Sequence, residues 1–314
     1  MTARTLRIVT RTQGNHAALK DGTVVPEGFE FEFCDVPVLV HAFRRMVRTL
    51  EFDVCEMALT TYLCAREHGV RFTALPVFLK RAFHHGAILH HTGFGVEHPK
   101  ALEGRRVGVN RGYTVTAGVW ARAVLAEEYG VDLGRITWVL SGDEHVEAYR
   151  PPHNVVPIEP GKTIEAMLST GELAAAINIA SDDPAIRPLI PDPLEAGLAA
   201  FARRAHYPIN HLVVVRDDVL RAHPEVAVAL FDAFAQAKAL YLERLRAGQA
   251  DDPSGTDALH LRMLQLTGDP LPYGIAPNRA VLAELIAHAR SQAILRRPVD
   301  IASVFAPETL DLTG

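Results

Sequence analysis

Residues 106–122 read RVGVNRGYTVTAGVWAR. Val107 and Val109 mark a short strand, Asn110, Arg111 and Gly112 a turn, and the spacing of Thr116, Trp120 and Val124 predicts a helix with one inward face that opens near residues 114–116. The first turn of such a helix leaves backbone N–H groups free, with a threonine hydroxyl beside them. Because the helix dipole and the Arg111 cation both favour negative charge there, the natural ligand is a carboxylate or a phosphate. The plainer alternative makes Thr114 a helix cap and Arg111 a solvated side chain.

Outward from this stretch, the same strand-turn-helix pattern recurs at residues 52–57, FDVCEM, which run into Thr60, Thr61 and Tyr62. Strand-like segments fall at Leu6 and Ile8, and at 29–33, 72–78, 87–91, 136–140, 174–179 and 212–215. Helical periodicity covers 40–50, 164–168, 217–246, with Pro224 at an early turn, and 281–295. Between them lie a polar loop at 11–22, an irregular run to Pro160, a segment from 182 carrying Pro184, Pro188, Pro191 and Pro193, and a loop-rich region at 250–280. Alternation of this kind predicts an α/β protein of two lobes, residues 1–95 plus 206–314 forming the first and 96–205 an inserted second, with a ligand cleft between them.

The totals narrow the ligand. With 314 residues, 48% hydrophobic and 22% charged, the chain is globular, and its net charge of −5 without a basic block argues against nucleic acid. No apolar run reaches the ~20 residues that span a bilayer, and the N-terminal residues lack an apolar leader core, so a soluble, cytoplasmic protein is expected. Cys34, Cys55 and Cys64 form no CxxC pair and suit a reducing compartment. A small-molecule carboxylate is the expected partner.

Fifteen histidines supply most of the candidate chemistry. His84, His85, His90 and His91 cluster, but strand neighbours six residues apart do not converge on one metal ion. His85 and His211 each adjoin a strand-end loop, and facing one cleft they would form a proton-transfer pair. Glu144 could orient one of them, while Arg81 has the planar cation for a bidentate carboxylate grip. Cys55 reads better as a small buried group than as a nucleophile. Walker, GxGxxG, HExxH and GxSxG motifs are all missing, which removes support for nucleotide, zinc-peptidase and serine-hydrolase readings.

Several blocks occur in an order that resembles the 4,5-dihydroxyphthalate decarboxylase family. They are FDVCEM (52–57), TYL (61–63), PVF (76–78), the Arg81-x-Phe83-x-His85 spacing, VGV (107–109), TAGVWAR (116–122), YGV (129–131), ITW (136–138) and Pro208-Ile209-Asn210-His211. The likeness runs from Leu6 to Leu240. It departs at His84, where the family block carries arginine, at Ser141-Gly142-Asp143-Glu144, where Gly-Gly-x-Glu is usual, and at Gly171 to Ala175.

The resemblance implies a two-lobed fold similar to type 2 periplasmic substrate-binding proteins and a non-oxidative decarboxylase of a hydroxylated aromatic acid, assembled as a homo-oligomer. His85, His211 and Glu144 would carry the proton transfers. Arg81, Arg111 and the helix start at Thr116 would hold a retained carboxylate, Phe83 or Trp120 would stack on the ring, and Glu56 and Thr61 would complete the substrate's surroundings. No cofactor is implied; a divalent metal is left open, without assigned ligands. The competing reading is a non-catalytic binding protein or sensor for a small carboxylate, which would have no need of the histidine pair.

Overall fold

The structure, a computed structural model, describes residues 4–249 and 255–314; expectations for residues 1–3 and 250–254 lie outside it. A first sheet is built from β1 (Arg4–Val9), β2 (Phe29–Phe33), β3 (Val54–Ala58) and β4 (Phe72–Arg81), connected through α1 (Ala17–Lys20), α2 (Leu39–Thr49) and α3 (Leu59–Glu67). A second sheet takes β5 (Ile88–His91), β6 (Arg106–Val109), β7 (Thr137–Leu140), β8 (Val155–Pro157), β9 (Ala175–Ile177) and β10 (Ile186–Pro188), with α4 (Thr116–Tyr129), α5 (Ile164–Ser169) and α6 (Pro193–Arg204). The chain then returns to the first sheet as β11 (Ile209–Arg216) and ends in α7 (Asp217–Ala222), α8 (Val226–Arg246), α9 (Thr256–Thr267) and α10 (Arg279–Ser291). Strand orders are β2-β1-β3-β11-β4 and β10-β5-β9-β6-β7-β8. This is the expected two-lobed α/β architecture.

Burial explains the sheet order. Every residue of β3 is buried, as befits a strand with neighbours on both sides, whereas β1 alternates with Leu6 and Ile8 inside and Arg7 outside. β11 inserts antiparallel between β3 and β4, pairing His211 with Ala58 on one side and with Lys80 on the other. Irregular register around His211 marks a bulge, a device that re-aims side chains beside functional sites.

Several local expectations change. β5 hydrogen-bonds to β9 and β10, so the sheets exchange between residues 81 and 88 and not at 95. The helix expected over 217–246 breaks at His223-Pro224, because proline has no N–H for the ladder. α6 lies in a stretch where no element is expected, and α9 occupies part of the region read as loop. β8 and β10 are three-residue edge strands, too short for a periodic signal. No helix among the described residues is long and apolar enough to cross a membrane.

α4, the helix of the opening stretch, is the element that joins the lobes. Thr116, Val119, Trp120, Ala123 and Val124 are all buried, and the helix packs on α3, α10 and β11 of the first lobe. The contact is polar at its N-terminal end: Thr116 Oγ1 accepts from the Thr60 backbone N–H at 3.0 Å, and Thr60 Oγ1 donates to the Thr114 carbonyl at 2.6 Å. Trp120 Nε1 donates to the Ile209 carbonyl at 2.9 Å one turn on. Thr116→Val keeps the shape but leaves the buried Thr60 N–H without an acceptor, and should lower unfolding stability by ~1–3 kcal/mol. Urea denaturation checks this; an unchanged midpoint would mean that the lobes are joined elsewhere.

Candidate active site

Glu56 is the one charged residue in the buried strand β3, and it is 0% exposed. A buried carboxylate persists only when paired, and this one is paired three times. It accepts from the Arg11 backbone N–H at 2.9 Å, from Arg11 Nε at 3.0 Å and from His211 Nδ1 at 2.6 Å. Burial opposes its charge, but the His211 and Arg11 contacts prevail and hold it well below the usual carboxylate range. His16 fixes the loop after β1 that supplies Arg11, with Nε2 2.7 Å from the Arg11 carbonyl oxygen. Asn15 does the same from the other side, donating to the Leu79 carbonyl at 3.0 Å.

The pairing decides the protonation of His211. Since a carboxylate only accepts, the hydrogen at the 2.6 Å contact sits on Nδ1, and in the neutral ring Nε2 keeps its lone pair. Burial, with Arg11 and Lys80 adding to it against the pull of Glu56, pushes His211 down to about 4, so the ring is neutral at pH 7. Phe43 of α2 packs edge-on against it at 5.2 Å.

Lys80 of β4 pairs with His211 of β11, and its charge reaches the His211 ring. Burial, with the Arg11 and Arg111 charges nearby, pushes the Lys80 ammonium down to about 8. His84 follows, its Nε2 3.1 Å from Asn210 Oδ1, pushed to about 4 by burial and by the neighbouring Lys80, His85 and His211. Arg111 approaches from the other lobe. Its backbone is left-handed at φ 74°, pinned by an N–H donated to Ser141 Oγ at 2.7 Å, and Arg11 is close enough to disfavour its charge. Arg11, Lys80 and Arg111 thus lie within reach of one another's charge with Glu56 as the carboxylate nearby, an excess of positive charge that suits a multiply charged anion.

The helix start expected to bind the ligand is filled by the protein itself. Glu144 accepts from the Tyr113 and Thr114 backbone N–H groups and from Thr114 Oγ1 at 2.7 Å. Gly112 makes room for it, because a Cβ there would stand 2.6 Å from Glu144 Oε2. Burial raises the Glu144 pKa. Its loop is latched to α2 of the first lobe by Arg44 Nη2 and Arg48 Nη2, which donate to the two oxygens of Asp143 at 2.6 and 2.9 Å. Between α2 and this loop, Arg44, Arg111, Asp143 and His145 border a cavity of about 280 Å³.

The structure therefore sorts the sequence candidates. Glu56 and His211 bond each other, and Arg111 lies within reach of the Arg11 and Lys80 charges beside them. His85 does not pair with His211: its Nε2 lies 3.1 Å from Glu128 Oε1 at the lobe junction, while the adjacent His84 bonds Asn210, the residue before His211. Arg81 spends its guanidinium on the Tyr207 and Pro272 carbonyls and on Asn278, and burial pushes it down to about 10. Phe83 packs at a tilt against Tyr207, with ring centroids 5.0 Å apart. Trp120, Thr116 and Thr61, the last 3.4 Å from the Thr114 carbonyl, belong to the contact between lobes. Arg11, Lys80 and His84 were not singled out by the sequence; the substituted arginine position at 84 and the alternation of β4 carry a signal for the last two, while Arg11 sits in an unpatterned loop. Among the described residues, no metal-binding group of three is found in the cleft.

No family model matches the chain. A 4,5-dihydroxyphthalate decarboxylase of Comamonas testosteroni is 32% identical over 286 residues, covering 86% of this chain and 86% of that protein. One of Pseudomonas putida is 35% identical over 143 residues, 43% of this chain and 55% of its own length. Among solved structures, the alkanesulfonate-binding protein SsuA of Xanthomonas axonopodis pv. citri, bound to MOPS, superimposes with a TM-score of 0.54 at 17% identity over 97% of this chain and 99% of its own. The periplasmic aliphatic sulphonate-binding SsuA of Escherichia coli gives 0.56 at 12% identity over 98% and 99%. These two share the fold alone, that of a periplasmic binding protein.

The buried histidines predict how stability follows pH. His84, His145 and His211 fall from 6.5 to about 4 on folding, so below pH 6.5 the unfolded chain binds more protons than the folded one. Stability should rise as pH goes from about 4 to 6.5 and level off above. Urea unfolding across that range checks it, and a flat profile would contradict the burial of these rings.

Proposed function

The chain belongs to the 4,5-dihydroxyphthalate decarboxylase family and is a carboxy-lyase, and on that premise we propose that it releases CO₂ from 4,5-dihydroxyphthalate, or a closely similar hydroxylated aromatic dicarboxylate, by proton transfer through His211. The observation that carries this is the Glu56–His211 pair, 2.6 Å apart, beside three cations that converge from both lobes. In this substrate each carboxylate has a hydroxyl para to it. That hydroxyl is the electron outlet.

Arg11 and Arg111 hold the retained carboxylate, one from each lobe. His211 Nε2 takes the proton of the hydroxyl para to the departing carboxylate, and the Lys80 ammonium delivers a proton to the ring carbon that bears it. The ring is then a dienone. When the C–C bond breaks, its electron pair restores the aromatic ring, the carbonyl oxygen becomes a phenolate, and His211 returns the proton to it. Lys80 regains its proton from solvent. Substrate carboxylate plus one proton thus becomes arene plus CO₂, with no electron left over, so the ring itself supplies the electron sink that a pyridoxal or thiamine cofactor otherwise would.

Glu56 acts through His211. Ionised and buried, it fixes the Nδ1–H tautomer and stabilises the imidazolium while it exists, a role worth most where water is excluded. Lys80, poised at about 8, remains charged at neutral pH yet gives up a proton at modest cost. The binding-protein reading has less support: retaining a carboxylate needs the arginines but not a histidine held neutral by a buried glutamate.

His211→Asn should cut kcat for CO₂ release by ~10²–10⁴ while KM changes little, because the amide can still donate to Glu56 but cannot act as a base. Lys80→Met should lower kcat as well and remove the alkaline limb of the pH–rate profile near 8. Assay with 4,5-dihydroxyphthalate checks both; wild-type turnover in His211→Asn would remove that residue from the mechanism.

A further inference from the structure

Away from the cleft, α4 and α10 face each other across the junction of the lobes. Their facing turns carry Glu127, Glu284 and His288, and a ligand atom from each lies within 4.8 Å of the other two. His288 is 7% exposed, and its Nε2 has no hydrogen-bond partner. That nitrogen stands 3.7 Å from Glu127 Oε1 and 3.7 Å from Glu284 Oε1, equidistant from two carboxylate oxygens and bonded to neither. A tetrahedral zinc ion ~2.1 Å from each ligand holds them ~3.4 Å apart. The gap fits an ion better than a hydrogen bond.

The surroundings have the features of a built site. Trp120 packs edge-on against His288 at 5.5 Å and fixes the plane of its ring. His206 Nδ1 bonds Glu284 Oε2, the oxygen turned away from His288, and so orients that carboxylate, as outer-shell partners of metal ligands do. Arg204 Nη1 lies 3.1 Å from Glu127 Oε2 and 3.5 Å from Glu284 Oε1, offsetting part of the charge while leaving Glu127 Oε1 and His288 Nε2 to each other. A cavity of about 20 Å³, bounded in part by Trp120, His206, Glu284 and His288, adjoins the cluster. That exceeds the ~10–15 Å³ one water needs, so a solvent ligand has room.

We propose that Glu127, Glu284 and His288 form a divalent transition-metal site, of the zinc class, that ties α4 of the inserted lobe to α10 of the first. One imidazole and two carboxylates from two helices are a donor set that zinc accepts, and the position left open is the one beside the cavity. Glu127 is supplied by one lobe and the other two ligands by the other, so the ion would clamp the lobes at their junction. The cavity beside the site is bounded on another side by His84 and His85, but none of the three ligands bonds Glu56 or His211, and the site takes no part in the proton transfers assigned above.

The test is titration of the full chain, stripped with a chelator, with zinc chloride by calorimetry and with cobalt chloride by visible absorption. One equivalent of zinc should bind, and cobalt should develop the d–d absorption of a low-coordinate site. Glu127→Gln, at a half-exposed position that leaves the fold intact, and His288→Asn should each weaken zinc at least ~10-fold, while His211→Asn in the cleft leaves it unchanged. Absence of saturable binding by the wild-type chain would overturn the site. So would equal affinity in Glu127→Gln and His288→Asn, or a loss confined to His211→Asn.

Discussion

One carboxylate in the middle of a hydrophobic sheet organises this protein. Strand β3 is buried along its whole length, and placing Glu56 there costs several kcal/mol of desolvation unless partners are supplied. The supply comes from two directions: the loop after β1 delivers the Arg11 backbone and guanidinium, and β11 delivers His211 across the sheet. The bulge in β11 and the otherwise unusual burial of His16 and Asn15 make sense as devices that hold those partners in place. A neutral histidine with a free Nε2 is the chemical product of that packing.

The second lobe completes the cleft without supplying the base. α4 presses its N-terminal turn onto α3 through Thr60, Thr114 and Thr116, and Glu144 fills the anion-binding position that this turn would otherwise offer. Arg111 is what the lobe presents to a ligand, held in a left-handed turn by Ser141. The latch between α2 and the 141–145 loop also spans the lobes, and Ser141 of that loop holds Arg111, so the same loop ties the lobes together and fixes the cation.

Much of this was legible in the sequence where local pattern and burial agree. FDVCEM reads as a buried strand because it is one, and the Thr116–Trp120–Val124 spacing gives the inward face of α4. His211 and Arg111 stand out in the sequence because they adjoin a strand-end loop and a turn, and Glu56 because it is a charge in the otherwise apolar run 54–58. What escaped depends on the third dimension. No periodicity tells His84 from His85, since the chain leaves β4 irregularly before the short helical turn at residue 85; only coordinates show that His85 turns to Glu128. Arg81 looked free until three backbone and amide oxygens from distant segments were placed around it. Similarly, the helix start at Thr114 reads as an open anion site unless Glu144, thirty residues away, is known to occupy it.

In the proposed reaction an aromatic dicarboxylate sits over the Glu56–His211 pair with its charges on Arg11, Lys80 and Arg111. A crystal structure with phthalate, which has both carboxylates but no hydroxyl outlet and therefore cannot react by this route, tests it most directly. One carboxylate should bridge Arg11 and Arg111, with the far edge of the ring facing His211 Nε2. Phthalate bound away from His211, or a cleft that stays closed to it at saturating concentration, would contradict the account.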